Sequence, residues 1–346
     1  MIFNVSCNYP LIRCETYETY KNSQGGTSYR VEWAEREQFD SPEGRTFLEK
    51  KYRRVQPIPC GQCIECRLNY AREWATRAML EKNYGYNGGA YPDGTTWFLT
   101  LTYADEYLHQ STKVNTETGE IHRGISLYKK DMQDFIKRLR YYYPEMKMKY
   151  ISAGEYGGQT LRPHYHLIVF GLPLEQWEFK KIGMSPLNDP YWKHEKLAKI
   201  WGKGNVTIGR VTWESVAYVA RYTLKKIKGR DKLWYNMQGM DEEFTTKSQG
   251  IGKDYFLNNV EKIYTTDSVP IVNKRTGANV HPPKNFDRLL KELDADLYDE
   301  VKEIRKQNGE TQEVLMSRQS DLTPEERRRI SEERMQSVMK DIRKEL

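Results

Sequence analysis

Two histidines stand one residue apart at the start of an apolar run, in "RPHYHLIVFG" (Arg162 to Gly171). The β-branched and aromatic residues of this run predict a strand. Side chains two residues apart in a strand lie on the same face, about 7 Å apart along the chain. His164 and His166 therefore project side by side. Such a pair either binds one divalent metal ion or forms ordinary hydrogen bonds at the surface.

A carboxylate stands close to this pair. "MKYISAGEYG" (Met148–Gly157) predicts another strand, and "GGQTLRP" predicts a hairpin connection to the histidine strand. A tight hairpin would bring Glu155 beside the imidazoles. Two histidines and one carboxylate leave coordination positions open, as a catalytic metal requires, and nitrogen and oxygen ligands without thiolate suit Mg²⁺ or Mn²⁺. The alternative for Glu155 is an ion pair with Arg162.

A second set of reactive side chains lies in "ESVAYVARYTLKKIK", which predicts a helix. Its apolar residues recur at helical spacing and predict a buried face: Val216, Val219, Ala220, Thr223, Leu224 and Ile227. Tyr218 and Tyr222, four residues apart, lie on another face with Lys225 and Lys226. The pattern is that of a polar helix face or of a pair of nucleophiles.

The chemistry of a phenol connects the two sets. A phenol becomes a competent nucleophile when a neighbouring charge stabilises its anion or a base takes its proton. Phosphoryl transfer also needs positive charge on the non-bridging oxygens and a nucleophile in line. A metal ion held by Glu155, His164 and His166, facing Tyr218 or Tyr222, would supply these parts.

Five cysteines occur, all before residue 70. Cys60, Cys63 and Cys66 have zinc-like spacing, and Cys7 offers a fourth thiolate. The alternatives are free buried thiols and an iron–sulfur cluster. A structural zinc would anchor the N-terminal arm to the helix that begins near Ile64.

The elements that must position these residues follow one another in a definite order. "TTWFLTLTY" predicts a strand and "SLYKKDMQDFIKRLRYYY" a helix, followed by the two strands of the hairpin; "DPYWKHEKLAKIWG" predicts a helix, "NVTIGRVT" a strand, and "WESVAYVARYTLKKIKG" a helix ending at Gly229. This βαββαβ order predicts a ferredoxin-like, RRM-like α+β fold. We expect a central, mostly antiparallel sheet with helices on one face.

Three regions are expected. Residues 1–94 form an irregular N-terminal arm with the cysteine cluster and a helix, 95–230 form the core, and 231–346 form a charged, largely helical extension. Within the extension, Thr323 to Glu326 has the capping-box pattern.

Composition limits the classes of function. The formal charge is +7, and 25 tyrosines and 8 tryptophans accompany the lysines and arginines, which suits binding of single-stranded nucleic acid. The sequence has no apolar run of membrane-spanning length and no signal peptide, so we expect an intracellular protein without a membrane partner. It also has no phosphate-binding loop, and we expect no ATPase activity.

The motifs "FLTLTY", "GEYG" followed by "RPHYHLIVFG", and "YVARYTLKK" occur in that order, and together they closely resemble the HUH endonucleases. The likeness is to the replication initiation proteins of gokushovirus-type bacteriophages, small single-stranded DNA phages of the Microviridae. "CNYP", "PCGQCIECR" with "EWATRAMLE", and "KRLR" fit the same branch. The resemblance covers roughly residues 5–230.

The resemblance implies an activity and its residues. His164 and His166 match the metal-binding pair, Tyr218 and Tyr222 the paired nucleophiles, and Lys225 the lysine after the second tyrosine. One tyrosine would nick single-stranded origin DNA, giving a 5′-phosphotyrosine and a free 3′-OH that primes rolling-circle replication. The other would later cut the regenerated origin, so that the displaced strand is rejoined. A host helicase and polymerase in the bacterial cytoplasm would do the unwinding and synthesis.

Two alternatives remain open. A relaxase or a single-strand transposase would use the same chemistry. A non-catalytic protein could instead bind single-stranded nucleic acid by stacking bases on the aromatic residues of its sheet.

Overall fold

The structure, a computed structural model, describes residues 7, 9–23, 25–115, 118–145, 147–185, 188–225, 233–272, 277–319, 322–323, 326, 329–334 and 336–337. Among these residues no helix combines the length and the apolar character that crossing a membrane would require. The chain divides into two compact units. One comprises Phe3–Asn69 with Leu315–Leu346, and the other comprises Tyr70–Val314.

The first unit contains a three-stranded antiparallel sheet where we expected an irregular arm. Its strands have the order β2-β1-β3: β1 (Leu11–Lys21), β2 (Thr27–Ala34) and β3 (Arg54–Ile58). Helices α1 (Arg36–Asp40) and α2 (Pro42–Lys51) connect β2 to β3. The small core contains Ile12, Cys14, Leu48 and Tyr52. The prediction failed because "ETYETYK" of β1 alternates polar and aromatic residues and is mostly exposed, so no apolar stripe indicates a strand.

The remaining elements follow in chain order. The strands are β4 (Thr96–Tyr103), β5 (His109–Val114), β6 (Ile121–Ser126), β7 (Lys149–Tyr156), β8 (Pro163–Phe170), β9 (Lys180–Met184), β10 (Pro190–Lys193), β11 (Gly204–Arg210), β12 (Phe244–Lys247), β13 (Val269–Val272) and β14 (Gly277–Val280). The helices are α3 (Ile64–Tyr84), α4 (Lys129–Tyr142), α5 (Glu195–Trp201), α6 (Trp213–Lys225), α7 (Leu233–Met237), α8 (Lys253–Thr266), α9 (Lys284–Leu293) and α10 (Ala295–Gln319).

A seven-stranded sheet forms the centre of the second unit. Its strand order is β12-β7-β8-β4-β11-β10-β9, and every neighbouring pair is antiparallel. The strands β5 and β6 form a separate hairpin where we expected a polar loop, and β13 and β14 form another. The predicted α+β class with a large antiparallel sheet is confirmed.

Helices pack on both faces of this sheet, so the expectation of a single covered face was wrong. On one face, Phe135 of α4 and Trp201 of α5 pack with Leu167 of β8. On the other face, Ala78 of α3 and Val216 of α6 belong to a separate buried cluster that includes strand residues such as Phe98 and Ile168. The reason is that β4 and β8 carry apolar residues on both faces, and a strand of this kind has to be covered on both sides.

The segment "DPYWKHEKLAKIWG" is a strand followed by a short helix, where we expected one helix. Pro190–Lys193 pairs with β9 and, through Trp192, with β11. His194 then accepts the N–H of Leu197 on its Nδ1 and caps α5, which ends at Gly202 as predicted. Pairing with neighbouring strands therefore outweighed the helical spacing of this segment.

The charged C-terminal segment is helical, as expected. It forms α9 and α10, and Arg305 joins them by ion pairs to Asp287 and Asp267. The capping box is also present: Thr323 Oγ1 accepts the N–H of Glu326, and Glu326 accepts the N–H of Thr323.

Candidate metal and nucleophile site

The hairpin between β7 and β8 brings Glu155, His164 and His166 together. Glu155 lies directly opposite His164 in the strand pairing, and His166 lies opposite Ala153. The loop closes with a hydrogen bond of 3.0 Å from the Gly157 N–H to the Arg162 carbonyl. Arg162 itself pairs with Asp105 and donates to the Tyr103 carbonyl, which favours a ligand role for Glu155 over the ion pair with Arg162.

The two imidazoles converge on one carboxylate oxygen. Nε2 of His164 lies 2.6 Å from Oε1 of Glu155, and Nε2 of His166 lies 2.9 Å from the same atom. Either a proton or a cation must stand between each nitrogen and this oxygen, because lone pairs would otherwise face each other. Glu155 and His166 are buried, whereas the His164 side chain is 18% exposed. The group is therefore reachable from solvent on the His164 side.

Hydrogen bonds at the far side of each ring fix its orientation. Nδ1 of His164 lies 3.1 Å from the Arg162 carbonyl, which only accepts, so Nδ1 carries the proton. Nδ1 of His166 lies 3.0 Å from the hydroxyl of Thr100. Histidines that bind metals through Nε2 have their other nitrogen bonded in this way. The donor set fits a divalent cation with open coordination positions.

Glu155 stays ionised in this environment. Burial alone raises the pKa of its carboxyl, but the hydrogen bonds and positive charge of His164 and His166 outweigh burial and lower the pKa to about 2. A buried carboxylate held in its charged form is a ligand for a cation.

The opposite face of β8 is anchored. Tyr165, between the two histidines, points away from them into the core. Its hydroxyl lies 2.7 Å from the Tyr103 hydroxyl, accepts the N–H of Tyr128 and donates to the Tyr128 carbonyl. These bonds hold the strand from behind, so the imidazoles on the other face keep their position.

Helix α6 places Tyr218 against the histidines. The helix begins at Trp213 because Thr212 and Ser215 cap it reciprocally: Thr212 Oγ1 accepts the Ser215 N–H, and Ser215 Oγ accepts the Thr212 N–H. Val216, Val219 and Ala220 are buried, as the helical spacing predicts.

The Tyr218 ring contacts His166 edge-on. The two ring centroids are 5.1 Å apart and the interplanar angle is 85°. The predicted nucleophile helix and the predicted metal group thus meet at this contact. Tyr222 and Lys225 belong to the backbone of α6, but their side chains lie outside the described residues, as does Ile227.

The cysteines form a second group of metal-ligating side chains, within the first unit. The sulfur atoms of Cys7, Cys60, Cys63 and Cys66 all lie within 4.8 Å of one another. The sulfurs of Cys7 and Cys63 are 3.8 Å apart, which is about the edge of a tetrahedron with Zn–S bonds of about 2.3 Å. Gly61, with a φ of +72°, makes the turn between Cys60 and Cys63.

Hydrogen bonds to sulfur favour a thiolate at one position of this group. The Sγ atom of Cys60 accepts the N–H groups of Gln62 and Cys63. Burial raises the pKa of Cys60, but these bonds outweigh burial and lower the pKa overall. Burial raises the pKa of Cys66 to about 11. Metal binding to the group would have to displace the protons that these thiols retain.

A third group, Glu175, Glu178 and His194, has metal-like geometry but the wrong proton arrangement. Nδ1 of His194 accepts the N–H of Leu197, and the pKa of His194 is lowered, chiefly by burial. The neutral ring therefore carries its proton on Nε2, which faces the two carboxylates at 3.8 and 3.5 Å. This group is a capping histidine with acidic neighbours. It was not predicted from the sequence because Glu175 and His194 lie in different elements.

Two residues of β4 at the first site were not predicted either. Thr100 bonds to His166, and the Phe98 ring stacks on the His166 ring with centroids 5.5 Å apart and an angle of 14°. The alternation in "FLTLTY" places both side chains on one face. Their partner could not be read from the sequence, because the pairing of β4 with β8 joins segments more than 60 residues apart.

Comparison with known proteins identifies relatives. The family model of replication-associated proteins of the ORF2 type matches residues 96–227. Replication-associated protein ORF2 of Spiroplasma virus 4 is 35% identical over 268 residues, which are 75% of this chain and 77% of the relative.

Two further relatives come from other phages. Replication-associated protein VP4 of Bdellovibrio phage phiMH2K is 30% identical, over 64% of each chain. Replication-associated protein ORF4 of Chlamydia phage 1 is 28% identical, over 68% of this chain and 54% of the relative. No solved structure matches the chain.

Proposed function

The chain belongs to the family of phage replication-associated proteins, and from that premise we propose that it initiates replication by nicking single-stranded origin DNA through a tyrosine. The observation that carries the proposal is the contact between Tyr218 and His166, because it joins a phenol to a group of metal ligands. Neither a stacking surface nor a structural metal site requires this combination.

Glu155, His164 and His166 would hold a divalent ion, Mg²⁺ or Mn²⁺. When bound, the ion would supply the positive charge that phosphoryl transfer needs on the non-bridging oxygens. The ionised Glu155 carboxylate balances that charge inside the protein. The half-open His164 side leaves access for the DNA backbone. Because strands β7 and β8 fix all three ligands, the DNA rather than the protein would have to adjust on binding.

Tyr218 would act as the nucleophile. Its phenolate oxygen forms a bond to the phosphorus while the bond from phosphorus to the 3′ oxygen breaks. The products are a 5′-phosphotyrosine and a 3′ oxygen that takes up a proton to become the free 3′-OH. This end primes rolling-circle synthesis. Phe98 contacts both the Tyr218 ring and the His166 ring, so the phenol and the ligand share one wall of the site.

Tyr222 would be the second nucleophile, which cuts the regenerated origin and allows the displaced strand to be rejoined. It lies one helical turn after Tyr218 on α6. Lys225 would stabilise a phenolate. The basis for these two roles is the family pattern and the helix spacing, because both side chains lie outside the described residues.

We assign strands β4, β7, β8 and β11 with helices α4 and α5 to an HUH endonuclease core. Two observations support the assignment. The chain order is βαββαβ, and the four strands lie side by side in the order β7-β8-β4-β11, which is the ferredoxin-like arrangement. We also propose that the four cysteines bind a structural zinc ion that holds the N-terminal segment to the start of α3.

The proposal includes partners. The sequence has no phosphate-binding loop, so unwinding and synthesis would depend on a host helicase and a host polymerase in the bacterial cytoplasm. ATP-driven unwinding by the purified protein alone would contradict this part of the proposal.

The test uses end-labelled single-stranded DNA that spans the cognate origin, with Mn²⁺ or Mg²⁺, and a denaturing gel. The wild-type protein is compared with Tyr218→Phe, Tyr222→Phe and the double variant. We expect a labelled protein–DNA adduct that the double variant cannot form and that chelation prevents. Loss in one single variant identifies the tyrosine that acts first. Tight, metal-independent binding without an adduct would identify a non-catalytic binding protein instead.

A further inference from the structure

One face of β4 is lined by alternating residues that meet the metal-ligating histidines: Phe98, Thr100 and Thr102. Thr100 lies directly opposite His166 in the strand pairing. Its hydroxyl oxygen is 3.0 Å from Nδ1 of His166. This is a cross-strand contact between two fixed elements, so the distance does not depend on a mobile loop.

We propose that Thr100 is a positioning residue for the metal: its hydroxyl accepts the Nδ1 proton of His166 and so leaves the Nε2 lone pair for the ion. The inference rests on the proposed metal site. It makes a definite chemical claim, because an imidazole that keeps its proton on Nε2 cannot bind a cation there.

The two histidines receive this help from different sources. For His164 the acceptor is the Arg162 carbonyl, a backbone group that every residue at that position would supply. For His166 the acceptor is a side chain, so a substitution can remove it. A hydroxyl also donates as well as accepts, so Thr100 is compatible with His166 both with and without the ion.

Phe98 completes the control of this ring. Its stacking contact fixes the plane of His166, and the Thr100 hydrogen bond fixes which nitrogen carries the proton. Loss of a partner of this kind typically weakens metal affinity about 10- to 100-fold.

The experiment measures Mn²⁺ affinity of the full-length protein from the electron paramagnetic resonance signal of free Mn²⁺, without DNA. Thr100→Val removes the hydroxyl and keeps the shape, and Thr100→Ser keeps the hydroxyl. Thr96→Val is the matched control, because Thr96 lies on the same face of β4 and its hydroxyl makes no hydrogen bond within the described part of the chain. Circular dichroism establishes that each variant is folded.

We expect Thr100→Val to bind Mn²⁺ about 10- to 100-fold more weakly, with Thr100→Ser and Thr96→Val within a factor of about three of the wild type. Wild-type affinity in Thr100→Val overturns the inference. Equal weakening in Thr100→Ser overturns it too, because the loss would then come from packing.

His164→Ala and His166→Ala separate this inference from the proposed metal site. If both lose Mn²⁺ binding while Thr100→Val does not, only the role of Thr100 fails. If both bind Mn²⁺ like the wild type, the metal site itself fails and the role of Thr100 fails with it. If Thr100→Val weakens Mn²⁺ binding but no DNA is cut, the inference stands and the nicking proposal fails.

Discussion

The two groups of metal-ligating side chains are built in opposite ways. Glu155, His164 and His166 lie on neighbouring strands inside a large sheet, and each imidazole is oriented by a hydrogen bond at its far nitrogen. The cysteine group combines a turn, the first turn of α3 and a residue near the N-terminus, and its members are half-buried.

This difference separates a site that the fold forms in advance from one that a metal has to complete. Three nitrogen and oxygen ligands on a rigid sheet leave positions open for a substrate. Four thiols from separate segments would enclose an ion, and the free energy of binding would then stabilise the fold. Removing ligands should therefore affect chemistry at the first group and stability at the second.

The largest expected effect is on DNA cutting. His166→Ala should lower the rate of adduct formation by about 10⁴-fold, or about 5 kcal/mol, because the charge stabilisation of the ion is lost. Single-turnover cutting of labelled DNA measures the rate. His122→Ala, on β6, is the control and should cut normally. A rate within tenfold of the wild type in His166→Ala would rule out a metal-dependent role for this residue.

Next in size is the effect on stability at the cysteine group. Cys63→Ser should reduce bound zinc from one ion per chain to none and lower the free energy of unfolding by about 4 kcal/mol, part of the roughly 10 to 16 kcal/mol that structural zinc contributes. Mass spectrometry of the metal and urea titration measure the two quantities. Cys14→Ala should keep the zinc, because Cys14 lies in the core outside the group. Equal zinc content in both variants would show that the group does not bind it.

A smaller effect distinguishes the charge of Glu155 from its shape. Its carboxyl has a pKa of about 2 in the folded protein against an ordinary 4.5, so its charge stabilises the metal-free fold by about 3 kcal/mol above pH 4.5. That contribution should disappear as the pH falls from 4.5 towards 2, since both states then bind the proton. The difference in unfolding free energy between wild type and Glu155→Gln should shrink over this interval, as measured by urea titration. Glu261→Gln, at an exposed position of α8, should show no such trend; a constant difference for Glu155→Gln would contradict the prediction.

The smallest effect tests the wall that Tyr218 and His166 share. Phe98→Leu should slow cutting by up to about tenfold, because an aromatic contact is worth about 1 kcal/mol, and it should leave zinc content unchanged. Phe170→Leu is the matched control, since Phe170 belongs to the same buried cluster but stacks on Tyr91. If the two variants slow cutting equally, Phe98 serves only the core.

The sequence predicted those parts of the site that depend on local spacing. The histidines share a face of one strand, Glu155 is joined to them by a hairpin, and the cysteines repeat every three residues. The roles of Thr100 and Phe98 could not be predicted, because β4 reaches β8 only through the folded sheet. Strand β12 was missed for a similar reason: "FTTK" has no pattern of its own and becomes a strand because β7 offers an unpaired edge.

Strand β12 also affects how the protein can be shortened. It pairs with β7, the strand that carries Glu155, and the Phe244 ring packs so closely on Gly154 that a Cβ there would lie 2.9 Å from it. A fragment that ends at residue 230 would keep the proposed catalytic residues but expose this edge to pairing with other chains. A soluble minimal nickase for crystallisation or biotechnology would therefore have to extend at least through Lys247.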